Sequence, residues 1–468
     1  MKAGKDMIRK ACVLCLTIVM IVFVFTGCGR DAVTSDETVT ITVWANNYHD
    51  KSFVMERVSE WNRTIGKEKN IRIDYQVKDD IEKVLGMALI SGQGPDLFPI
   101  MGGSLEKYAT EGWIEAIEDM PGGKDLIARF DGMLSYNKHI YDGKTYILPN
   151  SSTTYGLVYN KDMFVSAGLV DEKGEAEPPK TLDELREYAR ILTNTEKNEY
   201  GIVFPAKYGD WFSDDVMKPA TGSTRCFGYD PVTGEYDYGS LVDMMTTIMG
   251  IKEDGSCLPG ADSLDNDPAR SRFAEGGIGM YFSASYDYSV FTRQFPAKIN
   301  WGVAPYPVSD PGNARKQYTA YNRYLAINKA SVEAIGAEKL MEVYRWFYSE
   351  EMMAEAYIEG INLPTNKALV TNISMDEDKL QWQEYAALLE VSAATPMQLP
   401  YDITGQRTPA QIWEEDIWSG KTAVSDIPKV CDEMSDVMNE GMQRYQELHP
   451  EFDPSQLIIP EWEETSRR

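Results

Sequence analysis

Thr38-Val39-Thr40-Ile41-Thr42-Val43-Trp44, then Phe53-Val54-Met55-Glu56-Arg57-Val58-Ser59-Glu60-Trp61, then Ile71-Arg72-Ile73-Asp74-Tyr75-Gln76-Val77: these stretches, close together in the chain, decide the fold. In the first, Val39, Ile41 and Val43 alternate with threonines, the two-residue period of a strand with one face buried. In the second, Val54, Val58, Trp61 and, just beyond, Ile65 recur at three and four residues, the period of an amphipathic helix. In the third, Ile71, Ile73, Tyr75 and Val77 alternate again. A strand, a helix and a second strand in so short a span make a βαβ unit, whose strands run parallel because the crossover has a fixed hand. The fold class is therefore α/β.

Working outward, a further helix is expected from about 80 to 91. It leads into Gly94-Pro95-Asp96 and the apolar run Leu97 to Met101. Pro178-Pro179 precedes Thr181-Leu182-Asp183-Glu184, in which a threonine hydroxyl and a glutamate carboxylate can satisfy the open N–H groups of a helix start. Leu182, Leu185, Ala189 and Leu192 supply the apolar face of that helix. Residues 225–240 (RCFGYDPVTGEYDYGS) read as a turn-rich hairpin, with Gly234 suited to positive φ. Helical patterns dominate from about 335 to 358 and from about 376 to 446. The stretch from Pro450 has no strong period and reads as a wrapping or frayed tail. The length, 468 residues, is enough for two or three domains.

The N-terminus has the layout of a secretory signal: Lys2, Lys5, Arg9 and Lys10, an apolar run from Ala11 to Phe25, then small residues. That run is shorter than the roughly 20 residues a membrane span needs. Phe25-Thr26-Gly27-Cys28 resembles a bacterial lipobox, with Phe25 where the pattern has an aliphatic residue. The resemblance implies cleavage before Cys28 and lipidation of its thiol; an ordinary signal or a short membrane anchor is the alternative. Two or three acyl chains hold a protein firmly, each buried CH₂ contributing about 0.8 kcal/mol. The expected location is thus the extracytoplasmic face of the cell membrane, with membrane contact through the lipid on Cys28. Residues 1–27 are read as signal peptide and 28–37 as a small, polar tether.

Losing the signal takes the formal charge from −27 to −30, since four basic residues and one acidic residue leave with it. So acidic a chain repels nucleic acid and anionic headgroups, and no nucleic-acid partner is expected. Cys226, Cys257 and Cys431 remain as an odd set without a CxxC or a neighbouring histidine. A Cys226–Cys257 bridge or three buried thiols are both open.

An ordered series of short motifs then resembles one family, the extracellular solute-binding proteins of the maltose-binding type. Gly92-Gln93-Gly94-Pro95-Asp96-Leu97 is similar to its G-x-x-P-D segment, and Glu111-Gly112-Trp113-Ile114-Glu115 to the step after it. Tyr146-Ile147-Leu148-Pro149, Tyr155-Gly156-Leu157-Val158-Tyr159-Asn160-Lys161 and Pro178-Pro179-Lys180-Thr181 follow in order. Phe273-Ala274-Glu275-Gly276-Gly277-Ile278-Gly279-Met280 resembles F-x-x-G-x-x-A-M with Gly279 in the alanine position. Leu325-Ala326-Ile327-Asn328-Lys329 and Leu363-Pro364-Thr365 complete the set. No single motif is specific; the ordered set, over about residues 38–440, is.

The resemblance implies a two-lobed periplasmic-binding-protein-like (type II) fold with a hinge between the lobes. By analogy, lobe 1 takes residues 38–150 with 325–368, lobe 2 takes 151–324 with 369–447, and 448–468 form a C-terminal tail. The crossings fall near 149–155, 320–325 and 365–372. The implied function is capture of a small neutral ligand, a sugar or oligosaccharide, for an ABC importer, with the permease subunits as partners and the protein itself a monomer. No cofactor, metal or catalytic residue is implied.

Sugars are gripped by aromatic faces and by planar polar side chains. Trp44, Asn46 and Asn47 stand just past the first strand, where open α/β sheets bind ligands; lobe packing is the alternative for Trp44. Asp96 sits at the cleft edge in the family pattern, or caps a local turn. Tyr155 lies at the first crossing, and Trp211 in the loop Gly209-Asp210-Trp211-Phe212. Tyr286 stands where many relatives carry a Gly-Trp pair, so the expected tryptophan is absent. Tyr321-Asn322-Arg323-Tyr324 replaces a glycine-rich segment; Arg323 would bracket hydroxyls or bridge the hinge. Trp413 and Trp418, five apart on a late helix, read as core.

Competing readings remain. A peptide or a charged oligosaccharide is the other cargo, and a surface sensor the other role. A secreted glycosidase needs paired carboxylates, but with 73 acidic residues candidate pairs carry no information. His49, His139 and His449 are scattered, and there is no G-x-S-x-G, H-E-x-x-H or P-loop pattern. Asp262, Asp265 and Asp267 lack the glycine and bidentate glutamate of a calcium loop. The chain is therefore expected to be a binding protein and not an enzyme.

Overall fold

The computed structural model describes residues 38–46, 50–79, 81–100, 104–394, 401–450 and 452–468. Cys28 and Asn47 lie outside the described residues, as does the signal and tether region. The chain enters through β1 (Val39–Ala45), crosses by a helix over Lys51–Arg63, and returns in β2 (Ile71–Val77). The two strands are parallel, in register from Val39 opposite Ile71 to Ala45 opposite Val77. Ile41, Val43, Ile71 and Ile73 are buried on one side, as the alternation requires. The next helix, Ile81–Ile90, leads to β3 (Leu97–Phe98), and β4 (Ile114–Glu115) follows.

The chain then leaves this sheet through the long strand β5 (Pro149–Asn160). A second sheet forms from β5, β6 (Tyr200–Ile202), β7 (Ile278–Ala284), β8 (Trp301–Ala304) and β9 (Gln317–Arg323). With β10 (Ala326–Asn328) the chain re-enters the first sheet, whose order is β2-β1-β3-β10-β4, and with β11 (Ser392–Ala393) it rejoins the second. Each sheet carries its own apolar core. Ile41, Val43, Trp61, Leu97, Tyr344 and Phe347 belong to one; Leu157, Phe204, Trp211, Met245, Phe282 and Trp413 belong to the other. The molecule is two α/β lobes, each discontinuous in sequence.

Three strands of chain run between the lobes. β5 and β9 pair antiparallel from Thr154 opposite Thr319 to Pro149 opposite Arg323, with a register shift between Asn322 and Arg323. The third passage, expected near 365–372, meets them slightly earlier. There the Ser152 amide donates to the Leu363 carbonyl (2.8 Å), and the Ser152 hydroxyl donates to that of Pro364 (2.8 Å).

Local signals act as their chemistry dictates. Thr181 and Glu184 close a reciprocal cap on the helix Leu182–Leu192. Gly234 turns the hairpin between Tyr229–Asp230 and Glu235–Tyr236 at φ 82°, a region that costs a side chain its usual backbone. The helical pattern of 335–358 is divided at Gly336 and at Ser349, whose hydroxyl caps the helix Glu350–Ile358. The pattern of 376–446 is not continuous: β11 and the non-helical residues 401–408 separate the helix Leu380–Ala387 from the turns after Thr408. The final long helix is Ile427–Leu448.

Cys226, Cys257 and Cys431 are buried free thiols, so the candidate bridge does not form; burial pushes each thiol up to about 12. The C-terminal stretch wraps the second lobe. Glu463 pairs with Arg225 (2.6 Å) and Arg315 (2.7 Å), and the Trp462 indole donates to the Arg225 carbonyl (2.8 Å). The Arg315 hydrogen bond first, then its charge, an Arg467 hydrogen bond and the Arg225 charge hold the Glu463 carboxyl down at about 2. Among the described residues no helix is long and apolar enough to cross a membrane.

Candidate functional site

Strand ends, the connecting strands and one helix start converge on a cavity of about 1040 Å³ between the lobes. Its floor is polar. The Asn322 side-chain amide donates to the hydroxyls of Ser151 (3.2 Å) and Thr153 (3.0 Å), tying β9 to β5 through side chains as well as backbone. Tyr321 and Asn362 also reach this floor. The first lobe contributes Asn46, just beyond β1, with Pro99 and Ile100 beyond β3. The second lobe contributes more: Tyr155, Tyr208, the start of the helix Asn266–Ala274, and Ser285, Tyr286 and Gln294 beyond β7.

The cations beside the cavity's tyrosine rings are paired within the protein. Arg270 pairs with Asp287 (2.8 Å) and Asp267 (3.1 Å), and its guanidinium carbon lies 5.8 Å from the Tyr286 ring centre. Asp287 is 1% exposed and also accepts from the Ser283 hydroxyl (2.8 Å) and the Ala284 amide (3.2 Å). Burial raises the Asp287 carboxyl, and Arg270 works against that rise. Lys218 pairs with Asp214 and stands 4.2 Å from the Tyr155 ring centre, a cation over a ring face. Lys138 is likewise engaged. Asp265 caps the helix Asn266–Ala274 by accepting from the Asn266 amide. Burial, with Asp214 next, pushes the Tyr208 hydroxyl up to about 12, so it stays a neutral donor.

The structure brings together five of the residues expected from sequence: Asn46, Tyr155, Tyr286, Tyr321 and Asn322. Three others are placed elsewhere. Trp44 packs on the first lobe with Lys78 4.9 Å from its ring centre and does not line the cavity. Asp96 is buried and structural: it accepts from the Thr42 amide (2.8 Å) and the Ser331 hydroxyl (2.5 Å), stitching β1 to the helix that follows β10. Trp211 is wholly buried, its indole N–H on Glu414 (3.1 Å) and its ring centre 5.5 Å from that of Trp413 and 5.0 Å from that of Trp418. Trp413 and Trp418 reach the same partner because Trp413–Trp418 is a π-helical turn. Its i→i+5 bonding brings positions five apart onto one side, which an α-helix would not. Arg323 closes β9 through its backbone; its side chain lies outside the described residues.

The sequence reading passed over Tyr208, Arg270, Gln294 and Asn362. Arg270 carried the one usable signal: a cation in the first turns of a helix that opens Asp265-Asn266-Asp267, aimed at a later aspartate. The Asp262, Asp265 and Asp267 triplet is dispersed, Asp262 taking the Trp418 indole N–H while Asp267 holds Arg270. Among the described residues no group of three or more candidate ligands could hold a metal ion.

Two α/β lobes joined by crossing strands around a ligand-sized cavity define a two-lobed binding protein. The model of the bacterial extracellular solute-binding protein family matches residues 47–354, and the chain belongs to that family. It is 28% identical over 269 residues to the maltotriose-binding protein of Pyrococcus abyssi, covering 57% of this chain and 53% of that one. The chain thus spans about half the length of the curated relative it matches. Solved structures share the fold at low identity. Apo RafE from Streptococcus pneumoniae is 15% identical with a TM-score of 0.63, over 88% of this chain and 99% of that chain. A cyclo/maltodextrin-binding protein complexed with maltotetraose is 19% identical with a TM-score of 0.64, over the same shares. The chain is therefore a member of a family of solute-binding proteins.

Proposed function

We propose that this protein is a lipid-anchored receptor on the extracytoplasmic face of the membrane that captures a neutral sugar or oligosaccharide for an ABC importer. One observation carries the ligand class. Arg270 and Lys218, the cations nearest the cavity rings, each have a carboxylate of the protein's own, while hydroxyls, amides and tyrosine faces remain to meet a guest. An anionic ligand would have to displace a partnered aspartate, leaving a buried carboxylate unpaired at a cost of several kcal/mol. A neutral polyol displaces none and donates its hydroxyls to Asn322, Ser151 and Asp267. The names of the relatives, which bind maltotriose in one case and hold maltotetraose in another, point the same way.

Because each lobe offers part of the wall, ligand contacts are complete only when both are engaged. Binding free energy is then coupled to approach of the lobes, and the closed shape is what a permease distinguishes. The lipobox-like Phe25-Thr26-Gly27-Cys28 supports tethering beside such a permease. A thermal-shift screen of mono-, di- and oligosaccharides, uronic-acid oligomers and peptides tests the reading. A neutral glycan is expected to raise Tm, the stabilisation growing as RT ln(1 + [L]/Kd). Stabilisation by a peptide or a uronic-acid oligomer with none by any neutral glycan refutes it.

A further inference from the structure

A second concavity, of about 530 Å³, lies on the outer edge of the first lobe, between β2 and the helix Lys51–Arg63. β2 is the end strand of its sheet, and the helix covers its open side: the Asn62 amide donates to the Ile73 carbonyl (2.9 Å) and its oxygen accepts from the Ile73 amide (2.8 Å). Thr38, which leads into β1, lines this concavity, whereas Asn46, just past the other end of β1, lines the inter-lobe cavity. At about 3.3 Å per residue the two ends stand roughly 25 Å apart.

The concavity runs against the charge of the chain. Of 468 residues 73 are acidic and 46 basic, yet Arg63, Lys67 and Arg72 meet here, all exposed. Arg63 donates to the Ser59 carbonyl (3.3 Å), and none of the three has a carboxylate partner among the described residues. Nearby carboxylates are already engaged: Glu56 and Glu60 lie on Arg57 (3.0 and 3.3 Å), and Asp74 accepts from the Gln76 amide (2.5 Å). The crossover explains the grouping. A helix between parallel strands runs back against them, so its last turn and the short helix Ile65–Lys69 come down beside the starts of β1 and β2.

Resting on the proposed anchoring through Cys28, we infer that this basic concavity sits on the anionic headgroups of the membrane that holds the lipid. From Cys28 to Thr38 is ten residues, a reach of at most about 36 Å and of roughly 18 Å for a flexible chain. The edge of the molecule that carries Thr38 is therefore the one kept beside the membrane. The acidic remainder of the chain does not forbid contact. At physiological ionic strength charges are screened beyond about 8 Å, so the headgroups meet the three cations that face them and little else. Each lysine or arginine at an anionic surface strengthens partition about fivefold. In this posture the Asn46 end of β1, and with it the first-lobe wall of the cavity, points away from the lipid toward the arriving solute.

A single acyl chain gives only marginal membrane binding, so a second attachment becomes measurable beside it. Cys226, Cys257 and Cys431 are buried, which leaves Cys28 of the mature chain to react with a maleimide bearing one myristoyl-length chain. Partition of that protein is compared on vesicles of phosphatidylcholine alone and with about 30% phosphatidylglycerol. A preference of about tenfold or more for the anionic vesicles is expected at physiological salt, and its loss at about 1 M salt. The triple variant Arg63→Gln, Lys67→Gln, Arg72→Gln should lose it. The equally charged control Lys173→Gln, Lys197→Gln, Lys429→Gln, exposed cations of the second lobe, should keep it. No preference in the unaltered chain, or equal loss in both variants, overturns the inference alone. Mass spectrometry of the chain made from its own N-terminus in a bacterial host tests the anchoring itself: an unmodified Cys28 overturns that reading, and the headgroup contact with it.

Discussion

Both lobes bury aromatic rings around their sheets and use them differently. In the first lobe Trp61, Tyr108, Tyr344 and Phe347 are buried in the cores, and Trp44 is half-buried near the end of β1 with Lys78 over its ring. What that lobe shows the cavity is an amide, a proline, an isoleucine and a lysine: Asn46, Pro99, Ile100 and Lys138. In the second lobe Trp211, Trp413 and Trp418 fill the core, yet Tyr155, Tyr208 and Tyr286 remain at the cavity wall. The contrast assigns roles. On the proposed function, the second lobe is the platform that would hold a guest, and the first the cover that would complete its enclosure.

The contrast breaks most severely if the platform is dismantled. Arg270→Ala leaves Asp287 buried without its cation, and loss of one partner of a buried pair costs about 3–5 kcal/mol. Denaturant unfolding should register that loss. The double variant Arg270→Met with Asp287→Asn should recover most of it, since the uncompensated charge is gone. Recovery failing while the single variant is destabilised would mean that Arg270 acts through packing and not through charge.

A sharper test sets one lobe against the other by truncation. Tyr286→Ala removes an aromatic anchor, the residue type that dominates binding hot spots at about 2 kcal/mol or more, and should weaken glycan binding about 30-fold. Asn46→Ala removes one hydrogen bond of the cover, about 1 kcal/mol, and should weaken binding about fivefold. Calorimetry on the two variants decides; equal losses would erase the distinction between platform and cover.

The smallest expected effect lies away from the cavity. Glu463→Gln should lower Tm by about 1–2 °C at neutral pH, since partly exposed ion pairs contribute little. The Glu463 carboxyl is held below its ordinary value, so its contribution is full above about 4.5 and is lost as pH falls toward about 2. Melting curves of the two proteins should accordingly converge in acid.

What was legible in the sequence follows the range of the forces involved. The βαβ start was readable because strand and helix periods are local, and so were the cap at Thr181 and the turn at Gly234. Asn46 was readable as a position just beyond a strand, and Tyr286 through the resemblance to the family pattern. Trp211 was not: its flanking Gly209 and Asp210 signal a loop, while the partners that bury it lie some 200 residues on and meet it only through a π-helical turn. Asp96 looked like a cleft residue because its Gly-Pro neighbours bend the chain, but β10 brings Ser331 to its carboxylate. The hairpin rings were visible as Phe227, Tyr229, Tyr236 and Tyr238; what could not be seen was Tyr318 and Tyr401 arriving to enclose them.

Small-angle scattering from the mature protein, with and without the tightest-binding neutral glycan, tests the central claim most directly. The account predicts a contraction of the radius of gyration on saturation, absent from Tyr286→Ala at the same glycan concentration. Saturating binding with no contraction would contradict it.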